Sequence, residues 1–144
     1  MKNFKNIKDF LQHKINKTSE KKIPIIAAAV KNNKIITFSK NKKGWNNRLK
    51  HAEINVINKC LKKKVNFSDI TIYVNLEPCM MCMGAIKNVG ISKIYYYVEN
   101  QKKGFITSNF THDISKMDIK KSNDKKINNF FKEKLENYFK KIRG

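Results

Sequence analysis

With 144 residues, 40% of them apolar, the chain has the material for one domain and one core, and residues 1–144 are read as that single domain. A formal net charge of +21 points to a polyanionic partner, because clustered Lys and Arg release counterions as they neutralise phosphates, although the joint richness in Lys, Asn and Ile is also what AT-rich coding produces. The start has no apolar leader-like segment, and the longest apolar run, Ile23 to Val30, is far too short for a bilayer, so a cytoplasmic protein with no membrane partner is expected.

Phe4, Ile7, Phe10, Leu11 and Ile15 recur at helical spacing and predict a first amphipathic helix over about residues 3–18. Ile23 to Val30 and Lys34 to Phe38 flank Asn32-Asn33, a pair suited to a tight turn, and read as a β-hairpin. Lys40 to Lys50 reads as a loop. A second helix runs from His51 into the Lys62-Lys63-Lys64 run, whose charge suits a helix C-terminus. Ile70 to Leu76 reads as a strand, and Pro78 opens a third helix that extends to about Lys87. Ile91 to Val98 is an aromatic-rich strand followed by a loop around Gly104, and residues 113–124 hold at most one edge strand. Ile127, Phe130, Phe131, Leu135, Tyr138 and Phe139 mark a long last helix over about residues 125–142. A hairpin followed by alternating helices and strands implies an α/β fold with helices on both faces of one sheet.

The chemistry is concentrated in His51-Ala52-Glu53 and in Pro78-Cys79-Met80-Met81-Cys82. Cys79 and Cys82, at i and i+3, share one helix face near an N-terminus, where the dipole favours the thiolate that binds metal. His51 supplies an imidazole from the start of the second helix. Three protein ligands leave a tetrahedral zinc one open position, the mark of a catalytic rather than a structural site. Glu53 lies two residues past a ligand, placed to shuttle protons without binding the ion. This H-x-E…P-C-x-x-C spacing is the known signature of zinc nucleobase deaminases. Cys60 stands among apolar positions and reads as a packing thiol, while His13 and His112 read as surface residues.

The stretch LEPCMMCMGAI at 76–86, with HAEI at 51–54, resembles the bacterial tRNA-specific adenosine deaminases, members of the cytidine-deaminase superfamily. The hairpin IPIIAAAVKNNKII, the segment ISKIYYYVENQKKG and the end ENYFKKIRG extend the resemblance over most of the chain. It implies a three-layer α/β/α cytidine-deaminase-like fold with a mixed five-stranded sheet, a homodimer, and one Zn²⁺ per chain held by His51, Cys79 and Cys82. It further implies Glu53 as catalytic shuttle and hydrolytic deamination of adenosine to inosine at the wobble position of a tRNA anticodon stem-loop. Asn41 matches a nucleoside-binding asparagine of that family. The chain departs from the family at Ile26 (glycine there), at Arg48-Leu49-Lys50 and at Asn100 (aspartate there), the last implying a laxer reading of the sugar. Arg48, Lys50, Lys102, Lys103, Lys140, Lys141 and Arg143 are the candidate RNA contacts. Deamination of a free base, nucleoside or nucleotide is the rival with the same chemistry, and a noncatalytic basic RNA-binding subunit the rival of another class. Retention of Glu53 speaks against the second, and the charge speaks against the first.

Overall fold

A computed structural model describes residues 6–106 and 116–143, with the side chain of Arg143 left out. Five strands form one mixed sheet: β1 (Ile26–Lys31), β2 (Lys34–Lys40), β3 (Thr71–Leu76), β4 (Lys93–Val98) and β5 (Asp118–Lys121), in spatial order β2-β1-β3-β4-β5. β1 pairs antiparallel with β2 and β3, whereas β3, β4 and β5 run parallel. The helices are α1 (Ile7–Asn16), α2 (Ala52–Lys62), α3 (Met80–Asn88) and α4 (Lys125–Arg143). Asn32 and Asn33 both take positive φ, 52° and 61°, which is the backbone that a two-residue hairpin turn requires.

Alternation along the strands distributes side chains between two apolar layers. Ala27, Ala29, Ile72, Val74 and Ile94 face the layer that holds Val56, Ile57 and Cys60 of α2 and Met83 and Ile86 of α3. Ile26, Ala28, Val30 and Tyr97 face Phe10, Leu11 and Ile15 of α1 and Ile127 and Phe131 of α4. The molecule is therefore the expected three-layer α/β/α arrangement, with α2 and α3 on one face of the sheet and α1 and α4 on the other. Cys60 is fully buried in the first layer, in its expected packing role.

Several boundaries differ from the sequence expectation for identifiable reasons. β1 starts at Ile26 rather than Ile23, because the buried Asn75 side chain takes over there: its Oδ1 accepts from the Ile26 N–H and its Nδ2 donates to the Pro24 carbonyl. α3 starts at Met80, not Pro78, since Cys79 pairs with Gly104 and the Pro78 carbonyl accepts from Phe105 N–H, which holds residues 78–79 extended. β4 starts at Lys93 because Ile91 belongs to the end of α3, where its N–H closes onto the Ile86 carbonyl past Gly90 at φ 89°. α1 is capped at Asn6, whose Oδ1 accepts from Asp9 N–H, so it begins at Ile7; residues 3–5 lie outside the described residues. It ends at Asn16, and the Thr18 hydroxyl donates to the Lys14 carbonyl just beyond. The edge strand expected within 113–124 is β5, with residues 113–115 and His112 outside the described residues.

Candidate active site

Two helix N-termini meet beside the C-terminal end of β3. His51 is the N-cap of α2, with extended backbone (φ −67°, ψ 158°), so its ring leaves the helix axis while Glu53 already sits in the first turn. Cys79 holds the same position on α3 (φ −78°, ψ 174°), and Cys82 follows one turn later on the same face. The two termini face one another: His51 Nδ1 lies 3.7 Å from Cys79 Sγ and 3.6 Å from Cys82 Sγ. Donor atoms of all three residues fall within 4.8 Å of one another, and among the described residues no other His, Cys, Asp and Glu side chains gather in this way.

The donor set and its spacing fit zinc. At ordinary Zn–N and Zn–S lengths, a tetrahedral angle places the nitrogen and sulfur ligands about 3.6 Å apart. The observed separations of 3.6 and 3.7 Å match that edge, so the contacts are better read as ligand edges than as hydrogen bonds. At Cys79 the electrostatics agree. The neighbouring Cys82 thiol, followed by His51, holds Cys79 down at about 4, so it is a thiolate at neutral pH. Cys82 is pushed up, chiefly by its hydrogen bond to Cys79 and then by burial. His51 is raised by the Cys79 sulfur.

Glu53 is 4% exposed, and burial raises its carboxyl to about 7. A carboxyl poised there exchanges protons in either direction at neutral pH, which is what general acid–base work requires. It interacts with Cys79, His51 and Cys82 and so looks onto the donor trio.

Asn41 lies just past β2, and its Oδ1 accepts from the Ala52 N–H, the first amide of α2. The expected nucleoside-binding residue thus also fixes the loop to the helix that carries His51 and Glu53. Asn100 Oδ1 accepts from Lys103 N–H within its own turn. Arg48, Lys50, Lys102 and Lys103 are exposed on the two loops around the site, and the Lys103 charge acts on His51. Lys140 and Lys141 are placed apart from these, in a cleft of about 470 Å³ between α4 and the segment after α1, where Lys141 pairs with Glu20 at 2.7 Å. The side chain of Arg143 lies outside the described residues.

Sequence reasoning missed Glu77. It is 1% exposed, its Oε1 accepts from Asn100 N–H at 3.2 Å, and its Oε2 accepts from Ile106 N–H at 2.7 Å. One carboxylate therefore holds the loop after β4 against the Pro78–Cys79 segment. Gly104 completes the contact, since a Cβ there would lie 2.5 Å from the Glu77 carboxyl and from the Asn100 carbonyl. An acid interrupting the apolar run before Pro78-Cys79 was the signal in the sequence.

Comparison with known proteins agrees with this geometry. The family model of the MafB19-like deaminases matches residues 1–143. A tRNA-specific adenosine deaminase of Rickettsia bellii (strain RML369-C) is 39% identical over 103 residues, 68% of this chain and 71% of the relative. That of Rickettsia typhi (strain ATCC VR-144 / Wilmington) is 40% identical over 84 residues, 56% of this chain and 57% of the relative. A solved structure from work on A-to-I editing by tRNA:A34 deaminases superposes with a TM-score of 0.56 at 28% identity, covering 69% of this chain and 82% of that one. The guanine deaminase of Bacillus subtilis gives a TM-score of 0.51 at 28% identity, over 62% of this chain and 64% of that one. The chain belongs to the MafB19-like deaminase family, and its reaction is hydrolytic deamination.

Proposed function

We propose that this protein converts adenosine to inosine at the wobble position of a tRNA anticodon stem-loop. The observation that carries this reading is the placement of exposed Arg48, Lys50, Lys102 and Lys103 on the loops that flank the buried Glu53 and the donor trio. A free base has no use for such a rim, whereas an RNA strand crossing the site presents phosphates to it. The names borne by the relatives at 39% and 40% identity support the same substrate.

His51, Cys79 and Cys82 would hold one zinc ion per chain. When bound, zinc supplies Lewis-acid activation of water at neutral pH. Glu53 takes a proton from the attacking water, passes it to the ring nitrogen beside C6, and delivers a second to the departing amine, so that water and adenosine become inosine and ammonia. Because the Asn41 oxygen is engaged by the α2 terminus, its amide nitrogen is the end that addresses the base or ribose. Asn100, whose oxygen is likewise engaged, presents an amide where a carboxylate would repel phosphate, and thereby relaxes selection of the sugar. A cytoplasmic setting and a homodimer belong to the same reading and are supported by the resemblance to bacterial deaminases of tRNA. Among the described residues no helix is long and apolar enough to cross a membrane.

The test incubates zinc-loaded protein with an anticodon stem-loop and, separately, with adenosine, cytidine, cytosine and guanine. Inosine formed in the stem-loop alone is expected. Glu53→Ala should retain zinc while turnover falls by about 10²–10⁴-fold or more, and His51→Ala should lose the metal. Turnover of a free base without any in the stem-loop would replace this substrate with the rival one.

A further inference from the structure

We propose that Trp45 and Arg48 form a stacking platform for an unpaired nucleobase adjoining the target nucleoside, an inference that rests on the RNA reading above. Among the described residues Trp45 is the most exposed of the large apolar side chains, at 76%, and it takes part in neither apolar layer. The Arg48 guanidinium lies 4.0 Å from the centre of its ring and covers one face. An indole held open to solvent with a cation stacked beneath it is the arrangement that binds bases irrespective of identity, since every base has a π-face.

The loop is built to hold the platform still. Lys42 N–H donates to the Lys50 carbonyl, Lys50 N–H to Asn47, and the Asn47 side chain to the Lys43 carbonyl, while Gly44 at φ 112° makes the turn into the short 3₁₀ segment Trp45–Asn47. A ring fixed before binding loses little freedom on contact. Both feet of the loop are tied to α2: the Asn55 side chain donates to the Lys40 and Lys50 carbonyls, and Asn41 accepts from Ala52 N–H. Asn41 is bonded to the Ala52 N–H, beside His51 and Glu53, and Trp45 is four residues beyond it, a span of at most about 14 Å, which is within reach of a nucleotide next to one seated over Glu53.

The surroundings select the occupant. Between Lys40 and Lys50 there is no acidic residue, and Trp45 is bordered by Lys42, Lys43, Asn46 and Arg48. Leu49 is the one other large apolar side chain exposed on this loop, and two such residues fall short of the apolar patch that a protein partner would need. A strand of RNA needs this combination of a stacking face and cations for its phosphates.

Trp45 is the chain's only tryptophan, so emission excited selectively from tryptophan reports on this position alone. The 144-residue protein is titrated with a hairpin carrying the target adenosine in its loop, with the same hairpin made abasic on both sides of that adenosine, and with a fully paired duplex of equal phosphate count. The hairpin should quench emission, the duplex should not, and the abasic hairpin should bind at least about ten-fold more weakly without quenching. Trp45→Ala should raise KM for the hairpin by about 5- to 150-fold, more than it lowers kcat, and Trp45→Phe should recover most of the loss. Hairpin deamination with an unchanged KM in Trp45→Ala, or equal quenching by the abasic hairpin, would overturn the platform and leave the RNA reading standing. Deamination of free bases with no hairpin binding would overturn both. An emission shift that follows protein concentration without RNA would assign Trp45 to self-association instead.

Discussion

At Glu77 a single carboxylate does for a loop what a capping residue does for a helix. It meets the N–H groups of Asn100 and Ile106 in a place sealed from water, and Gly104 makes room for it. Glu77→Gln should therefore cost more than its small change in shape suggests. The amide has one oxygen for two inward-pointing N–H groups, and its own NH₂ must oppose one of them. A buried donor left unmatched costs about 1–3 kcal/mol. Chemical denaturation should show a loss of that size, and Gly104→Ala should lower stability as well, because its Cβ has no space. Both substitutions loosen the Cys79–Gly104 pairing, so zinc affinity should fall with stability. A Glu77→Gln protein as stable as the wild type, with unaltered zinc binding, would refute the assigned role. His51, Glu53, Cys79 and Cys82 were legible in the sequence because metal and proton chemistry dictate residue type and spacing within a few positions. Glu77 was not, because its partners lie 23 and 29 residues away and only the fold brings them together.

The elements show the same division between local and distant causes. The hairpin was legible because Asn32-Asn33 and the apolar runs beside it are a local pattern. The starts of α3 and β4 were not, because backbone pairing with Gly104 decides the first and a helix-end motif the second. α2 ends in the same motif as α3, with Val65 N–H closing onto the Cys60 carbonyl, but here the left-handed position is occupied by Lys64 at φ 56°. A side chain there is strained against its own carbonyl. Lys64→Gly should relieve the strain and, after the added flexibility of the unfolded chain, stabilise the protein by about 0.5–1 kcal/mol. A rise in midpoint in urea with an unchanged slope would show it, and a fall would mean that the Lys64 side chain does more than occupy the turn. At the sheet edge, Lys59 of α2 and Lys63, its C-cap, donate from their ammonium groups to the outward carbonyls of Phe38 and Ile36 on β2. Carbonyls occupied in this way offer a poor template for another strand, so part of the lysine excess protects the edge rather than reaching for RNA.

Across the whole molecule, basic residues outnumber acidic ones by 32 to 11, and their distribution over the layers makes the charge testable. Arg48, Lys50, Lys102 and Lys103 lie on loops beside the candidate site, whereas Lys140 and Lys141 belong to α4, the layer packed on the opposite face of the sheet from α2 and α3. A short single strand threaded over Glu53 should touch only the first set, while a folded stem-loop is large enough to reach the second as well. The salt dependence of binding separates the two, since log affinity falls with log salt by about 0.7 for each phosphate neutralised in single strands and about 0.9 in duplex. Neutralising the four loop residues should flatten the salt dependence by about 3 for either ligand, four contacts at about 0.7 each. Neutralising Lys140 and Lys141 should flatten it by about 1.4 to 1.8 for the stem-loop and leave the short strand unaffected. Equal effects of the α4 pair on both ligands would mean that the cleft beside α1 lies on the path of the strand itself. No effect on either would confine RNA binding to the face of the sheet that carries Glu53.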